Sequence, residues 1–237
     1  NTERRVQRLR RATPPPGEAK PDWWIVSRLA QRMGFQGFNY SEAKDVFNEL
    51  CSLSPTYAGL DWDRVEHGEY QWPVPEEGHP GTPRLHEDGF INGRGIFKLI
   101  RYRDPAETVD DEYPVWLTTG RRLESYHSRT QTGRSEGIDY LLSEEVLEVH
   151  PDDVAAWGVE DGSWVEMASR RGAVTIKVKA TARSPRGTVF TSFSFNDVPV
   201  NVLTGGGYDP ITDTAELKVC PVRIQPHSSA QKTGAGI

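Results

Sequence analysis

Between Ser163 and Thr181 the chain reads SWVEMASRRGAVTIKVKAT. Apolar and polar residues alternate on both sides of Arg170-Arg171-Gly172. A two-residue period broken by a glycine-bearing turn is a β-hairpin signal, and it commits this part of the chain to half-buried strands. The neighbouring segments agree. YPVWLTTG reads as a strand ending at Gly120, and VLEVH as another closed by Pro151. PDDVAAWGV reads as a short helix with Pro151 in its first turn and Gly158 at its end. GTVFTSFSF and KVCPVRI are further strands. Short strands with one or two short helices point to a compact β-barrel with helical insertions.

The region before it, 1–112, is irregular. RATPPPGEAKP is a proline-rich connector. DWWIVSRLAQRMG is predicted to be a helix capped by Asp22, with Ile25, Leu29, Ala30 and Met33 at helical spacing and Gly34 at its stop. SEAKDVFNELCSLSP is a second helix, with Ser41 as its cap and Pro55 beyond its end. From Tyr57 to Arg94 the chain is rich in Trp, Pro, Gly and His without a clear period, and so long a loop packs over something larger. The opening NTERRVQRLRR has no initiating Met and no targeting pattern, and reads as the middle of a longer chain. The fold class expected is mainly β with α. The expected division is 1–112 as the end of a preceding domain with linker and covering loops, 113–226 as the barrel, and 227–237 as a flexible tail.

Charge singles out one stretch. The chain carries 28 Lys and Arg against 34 Asp and Glu, for a net charge of -6, which argues against a general nucleic-acid binder. Yet Leu117 to Arg134, LTTGRRLESYHSRTQTGR, is a basic island with a single acid, Glu124. Arg121, Arg122, Arg129 and Arg134 are suited to forked bonds to phosphate. Ser125, Ser128, Thr130 and Thr132 bring hydroxyls, and Tyr126 and His127 can stack on or donate to a heterocycle. Thr118, Thr119 and Gly120 stand at a strand end, where a glycine lets backbone amides approach a ligand. The set fits a large anionic ligand with polar ring edges, such as a nucleotide-bearing cofactor; a solvated loop paired with acids elsewhere is the alternative.

Other signals are negative. No GxxxxGKS/T or GxGxxG motif is present, and TGGGYDP, Thr204 to Pro210, reads as a turn. The six histidines lack metal-ligand spacing. Cys51 and Cys220 are too far apart for a disulfide framework and read as free thiols of a reducing compartment. No run approaches the roughly 18 apolar residues of a membrane span.

These residues together resemble a known family. LTTGRRLESYHSRTQTGRS, LEVHPDDVAAWGVEDGSWVEMASRRGAVTIKVKAT, GTVFTSFSF, NVLTGGGYDPIT and ELKVCPVRI are similar in order and spacing to the C-terminal cofactor domain of molybdopterin oxidoreductases. The resemblance implies a double-psi β-barrel that holds bis(molybdopterin guanine dinucleotide) with molybdenum or tungsten. Upstream, NTERRVQRLRRATPPPGEAKPDWWIVSRLAQRMG and YAGLDWDRVEHGEYQWPVP look like the α (catalytic) subunit of formate dehydrogenases. By that resemblance Thr119, Gly120, Arg121, Arg122, Leu123, Ser125, Tyr126, His127 and Ser128 match the segment that wraps one pterin dinucleotide. Thr130, Thr132 and Arg134 continue it, Phe193 matches an aromatic near the cofactor, and Asn201 and Lys218 match two further contacts. Ser125 stands where the family commonly has histidine, and TQTGR replaces TMTRR, which removes Gly133 as a side-chain contact.

The resemblance implies no catalytic residue and no metal ligand in this segment, since those, with the iron-sulfur cysteines, belong to earlier domains. Cys220 matches a core position. The implied reaction of the whole enzyme is reversible oxidation of formate to carbon dioxide. Electrons pass through iron-sulfur clusters to an acceptor such as NAD. The implied partners are the upstream domains of the same subunit, iron-sulfur and flavin electron-transfer subunits, and formate, in the cytoplasm, without nucleic acid. A nitrate reductase of the same family is the alternative substrate reading. A stand-alone, non-catalytic double-psi barrel serving binding or assembly is the alternative class.

Overall fold

The structure, a computed structural model, describes residues 1–227; the segment 228–237, which holds most of the expected flexible tail, lies outside them. The chain forms two compact units, Asn1–Lys98 and Leu99 onward.

In the first unit a short strand β1 (Arg5–Val6) precedes helices α1 (Asp22–Arg32), α2 (Ala43–Leu53) and α3 (Trp62–His67). Strand β2 (Tyr70–Gln71) then pairs antiparallel with β1. Both predicted helices form, with different caps. Pro21 rather than Asp22 is the N-cap of α1. For α2 the cap is Glu42, in a reciprocal capping box with Asp45, and the Ser41 amide and hydroxyl both donate to Asp45 Oδ2, at 2.8 and 2.7 Å. The sequence reading missed β1, α3 and β2. Asp61 caps α3 by accepting from the Arg64 amide at 2.8 Å, a six-residue turn too short to show a helical period. Cys51, Leu60, Val65 and Val74 form a small core with Phe47, Tyr57 and Tyr70 against it. The apolar stripe of α1 is not in that core: Ile25, Leu29 and Met33 are exposed, and Ser27 is its buried residue. Periodicity identifies a helix with an apolar face but not what lies over that face.

The second unit is a closed barrel of β3 (Val115–Gly120), β4 (Val146–Val149), β5 (Trp164–Ala168), β6 (Ala173–Ala180), β7 (Thr188–Ser192) and β8 (Cys220–Pro226). Their order around the barrel is β3-β7-β4-β6-β5-β8. β3 and β7 are parallel, as are β4 and β6, and the remaining pairs are antiparallel. The β5–β6 hairpin turns at Arg170-Arg171-Gly172 as its alternation predicts. Helix α4 (Glu136–Leu141), which the sequence reading missed, lies between β3 and β4, and α5 (Pro151–Ala156) follows β4 with Pro151 in its first turn. Alternate residues point inward. Leu117, Leu147, Val149, Val165, Met167, Ile176, Val178, Val189 and Val222 are buried in one core, so the apolar half of each strand period is what the barrel hides. No helix among the described residues is long and apolar enough to cross a membrane.

Candidate functional site

The inward alternation changes character at one end of the barrel. Along β3 and β7 the inward positions run from Leu117 and Val189 to Thr119 and Thr191, which lie side by side in the parallel register. Ser192, Phe193 and Ser194 follow directly. This end is therefore floored by hydroxyls rather than by aliphatic groups. The Oγ of Ser125, the Oγ1 of Thr191 and the Oγ of Ser194 are buried and have no hydrogen-bond partner among the described residues. Buried hydroxyls normally find partners, and these three, one on the loop after β3 and two at or just past the end of β7, are candidate ligand donors.

The basic island leaves β3 over this floor. Gly120 lies close to the Phe190 ring: a Cβ there would stand 2.6 Å from Phe190 Cε2, so a side chain would have to displace that ring. Three arginines of the island lie over three phenylalanines of the β7 exit. Arg121 stands 5.7 Å from the Phe193 ring, Arg122 5.4 Å from Phe190 and Arg129 3.9 Å from Phe195. The loop then folds back on itself. The amide of Tyr126 donates to Thr132 Oγ1 at 3.3 Å, and that of Gly133 to Arg129 O at 2.9 Å, in a 3-10 turn over Thr132–Arg134. His127 and Arg129 have φ of 47° and 61°, a left-handed conformation that side-chain-bearing residues rarely adopt and that clusters at ligand sites. The rings of Tyr126 and His127 meet edge to face at 4.6 Å, with Tyr126 62% exposed and Leu123 98% exposed. A cavity of about 420 Å³ lies on the island, lined in part by Leu123, Ser125, Tyr126 and Thr132. A second, of about 600 Å³, runs down the outer barrel wall past Arg121, Phe190, Lys179 and Arg183.

The four arginines are not equivalent. Arg122 is almost buried, and its guanidinium is spent on Glu148 Oε1 at 2.7 Å, Glu145 Oε1 at 3.1 Å and the Val146 carbonyl at 2.9 Å. Arg129 pairs with Asp139. Arg121 and Arg134 form no ion pair among the described residues and are exposed. Thus the alternative drawn from sequence, arginines paired with acids, holds for two of the four and not for the other two.

Lys218 is brought to the same place. Its Nζ donates to the Thr119 carbonyl at 2.9 Å, while Thr119 Oγ1 donates to the Leu217 carbonyl at 2.7 Å. Ser128 and Thr130 are exposed on the island. Asn201 is exposed on a 3-10 turn, Val200–Val202, and no described contact joins it to the island. The turn is tied to β8 instead: the Leu203 carbonyl accepts from Cys220 Sγ and from Arg171 Nε, both at 3.0 Å. Burial pushes the Cys220 thiol up from its ordinary value, so it is a poor nucleophile and a core residue in practice. Thr191, Ser194, Phe195 and Glu145 escaped the sequence reading. The signal was there in part, since TSFSF places hydroxyls at inward positions where the rest of the strand has aliphatics.

Residues 115–221 match the molydopterin dinucleotide binding domain family, and residues 1–32 match the molybdopterin oxidoreductase family. Over 95% of its length the chain is 40% identical to the F420-dependent formate dehydrogenase 2 subunit alpha of Methanococcus maripaludis. It is 41% identical to the F420-dependent formate dehydrogenase subunit alpha of Methanocaldococcus jannaschii. It is 35% identical to the assimilatory nitrate reductase catalytic subunit of Bacillus subtilis. It spans 34%, 34% and 33% of those proteins, about a third of each. Among solved structures, acetylene hydratase from Pelobacter acetylenicus shares the fold, with a TM-score of 0.68 over 94% of this chain and 35% of that one, at 17% identity.

Proposed function

This chain belongs to the molybdopterin oxidoreductases, and from that premise we propose that it is the cofactor-clamping portion of a formate dehydrogenase catalytic subunit. The observation that carries the reading is the set of idle donors and free cations on the loop after β3 and at the end of β7. The Oγ of Ser125, Oγ1 of Thr191 and Oγ of Ser194 are buried without partners, beside a loop whose Arg121 and Arg134 have none either. Hydroxyl donors and unpaired guanidinium groups are the donor set that a pyrophosphate-linked dinucleotide needs, so the residues present fit a molybdopterin guanine dinucleotide.

When bound, that cofactor supplies the two-electron redox chemistry at its molybdenum or tungsten, by which formate becomes carbon dioxide. The chain's own part is to hold and orient. Arg121 and Arg134 neutralise phosphate charge. Ser125, Thr191 and Ser194 donate to oxygens that would otherwise need water. Tyr126 and His127 offer ring faces and edges to heterocycles. Lys218 braces the end of β3 through the Thr119 carbonyl, so that Thr119 and Gly120 present a fixed backbone. Leu123, Ser128, Thr130, Thr132, Phe193 and Asn201 complete the proposed contacts; Arg122 is assigned a different part below. Catalytic groups, metal ligands and iron-sulfur clusters are assigned to other parts of the enzyme, and electron-transfer subunits and a cytoplasmic setting belong to the same proposal.

Formate is favoured over nitrate because identity to the two formate dehydrogenase subunits, 40% and 41%, exceeds the 35% to the nitrate reductase. The deciding experiment is metal analysis of the purified intact enzyme, with released guanine nucleotide counted per chain and turnover measured on formate and on nitrate. The expected result is about two guanine nucleotides per metal and formate turnover, with NAD and F420 compared as acceptors. Nitrate turnover alone would replace the substrate. Neither metal nor nucleotide would overturn the cofactor reading in favour of a non-catalytic barrel.

A further inference from the structure

We propose that Glu145 is the positioning residue of the dinucleotide site, a single buried carboxylate that aims both segments from which the ligand contacts come. The inference rests on the cofactor reading above. The Glu145 side chain is fully buried, at 0% exposure. An unpaired carboxylate in that position would be very costly, so its partners show what it is there to hold. They come from three places. Arg122 of the loop after β3 donates Nε and Nη2, at 3.2 and 3.1 Å. Val146, which opens β4, donates its amide at 3.2 Å. Ser192, which ends β7, donates its amide at 3.2 Å and its hydroxyl as well. The Ser192 hydroxyl in turn accepts from the Ser194 amide at 3.2 Å. Everything proposed to touch the cofactor between Leu123 and Arg134 leaves β3 through Arg122. Phe193 and Ser194 leave β7 through Ser192. Among the described residues, the Glu145 carboxylate is bonded to both exits, beside the β3–β7 ladder that pairs Gly120 with Ser192.

Charge excludes the simpler role for Arg122. Its one positive charge faces two carboxylates, Glu145 and Glu148, at 3.1 and 2.7 Å. Its Nε, Nη1 and Nη2 are each engaged by Glu145, Glu148 or the Val146 carbonyl, which leaves little to offer a phosphate. Arg122 is therefore a strut rather than an anion ligand, and its worth lies in geometry: a fully satisfied buried polar network holds one arrangement where an apolar contact would allow several. The ring of Phe190 lies 5.4 Å from the guanidinium, and Gly120 packs closely against that same ring.

The test uses the intact enzyme and three readouts: the rate of guanine-nucleotide loss on dilution, the thermal midpoint, and kcat and KM for the substrate. Glu145→Gln keeps the shape and loses the charge that holds Arg122. It should speed nucleotide loss by about tenfold or more, the scale on which outer partners tune a site. Glu145→Asp, which keeps the charge, should recover part of the loss. Ser192→Ala removes only the hydroxyl arm, and decides the matter should Glu145→Gln fail to fold. It should lower the midpoint, since Glu145 Oε2 and the Ser194 amide lose their partner, and should speed nucleotide release by more than that fall accounts for. Glu144→Gln, which removes only the exposed pair with Lys177, should change neither. Unchanged nucleotide loss in both Glu145→Gln and Ser192→Ala would overturn the proposal. So would a loss rate that merely follows the fall in midpoint, the mark of a residue needed only for folding. A wild-type enzyme without guanine nucleotide would overturn the underlying cofactor reading along with it.

Discussion

Lys218 is proposed to serve the site without being needed for the fold. It is exposed, and its Nζ donates to the carbonyl of Thr119 at the point where β3 gives way to the island. A hydrogen bond of this kind contributes about 1 kcal/mol to stability. Lys218→Ala should therefore move the thermal midpoint little and lower activity and nucleotide retention more, because the backbone of Thr119 and Gly120 loses its brace beside the ligand. Equal losses of activity and stability, measured side by side, would assign Lys218 to the fold alone. The arginines carry the complementary lesson. Arg121 and Arg122 are adjacent and chemically identical, yet one is exposed and the other is locked between two carboxylates.

At the scale of elements, the segment before β3 has no regular structure and is held to the barrel by charge. Glu107 lies 3.0 Å from Arg171 Nη2 and 3.4 Å from Arg170 Nη1, Asp110 pairs with Arg170, and the Ala106 amide donates to Glu216 Oε2 at 3.0 Å. Both arginines stand in the turn between β5 and β6. The hydrogen bond from Arg171 leads the influences that hold the Glu107 carboxyl below its ordinary 4.5, with the charge of Arg170 adding to it. A carboxylate whose pKa is depressed on folding contributes stability that is complete above the unfolded value and is lost as pH falls through the folded one. Stability should accordingly drop on acidification below about 4.5, and Glu107→Gln should flatten that part of the curve while lowering stability at neutral pH. Denaturant unfolding of both proteins across pH 3–7 (a span of about four units) checks it. Parallel curves would mean that the pairs are too well solvated to matter.

For the barrel as a whole, closure is the decisive property. β8 pairs with β3 on one side and with β5 on the other, so it is the stave without which six strands become an open five-stranded sheet. Exposed strand edges invite pairing with other chains. Removal of the chain from Cys220 onward should abolish soluble expression, or leave an aggregating product whose β3 and β5 amides exchange rapidly with solvent. Slow exchange at those amides in the shortened protein would show that the barrel does not depend on its last strand.

The barrel strands, the hairpin at Arg170-Arg171-Gly172, α1, α2 and α5 were legible in the sequence because each is written in a local period or a local stop: alternation for strands, a 3.6-residue stripe for helices, Gly and Pro at the ends. The island was legible for the same reason, since six hydroxyl residues and four arginines within one stretch need no fold to be noticed. The family resemblance was likewise carried by contiguous motifs. The tertiary structure alone decided what meets what. That β3 lies parallel to β7, that Glu145 and Glu148 meet Arg122, and that Arg121 and Arg129 lie over Phe193 and Phe195 all depend on contacts between distant segments, which no local period encodes. The same holds for α1, whose apolar stripe is plain in the sequence although its exposure is not. A chain's local pattern states which face each element must hide or present; only the closing of the barrel brings the faces together, and with them the idle hydroxyls, the free cations and the buried carboxylate of the site.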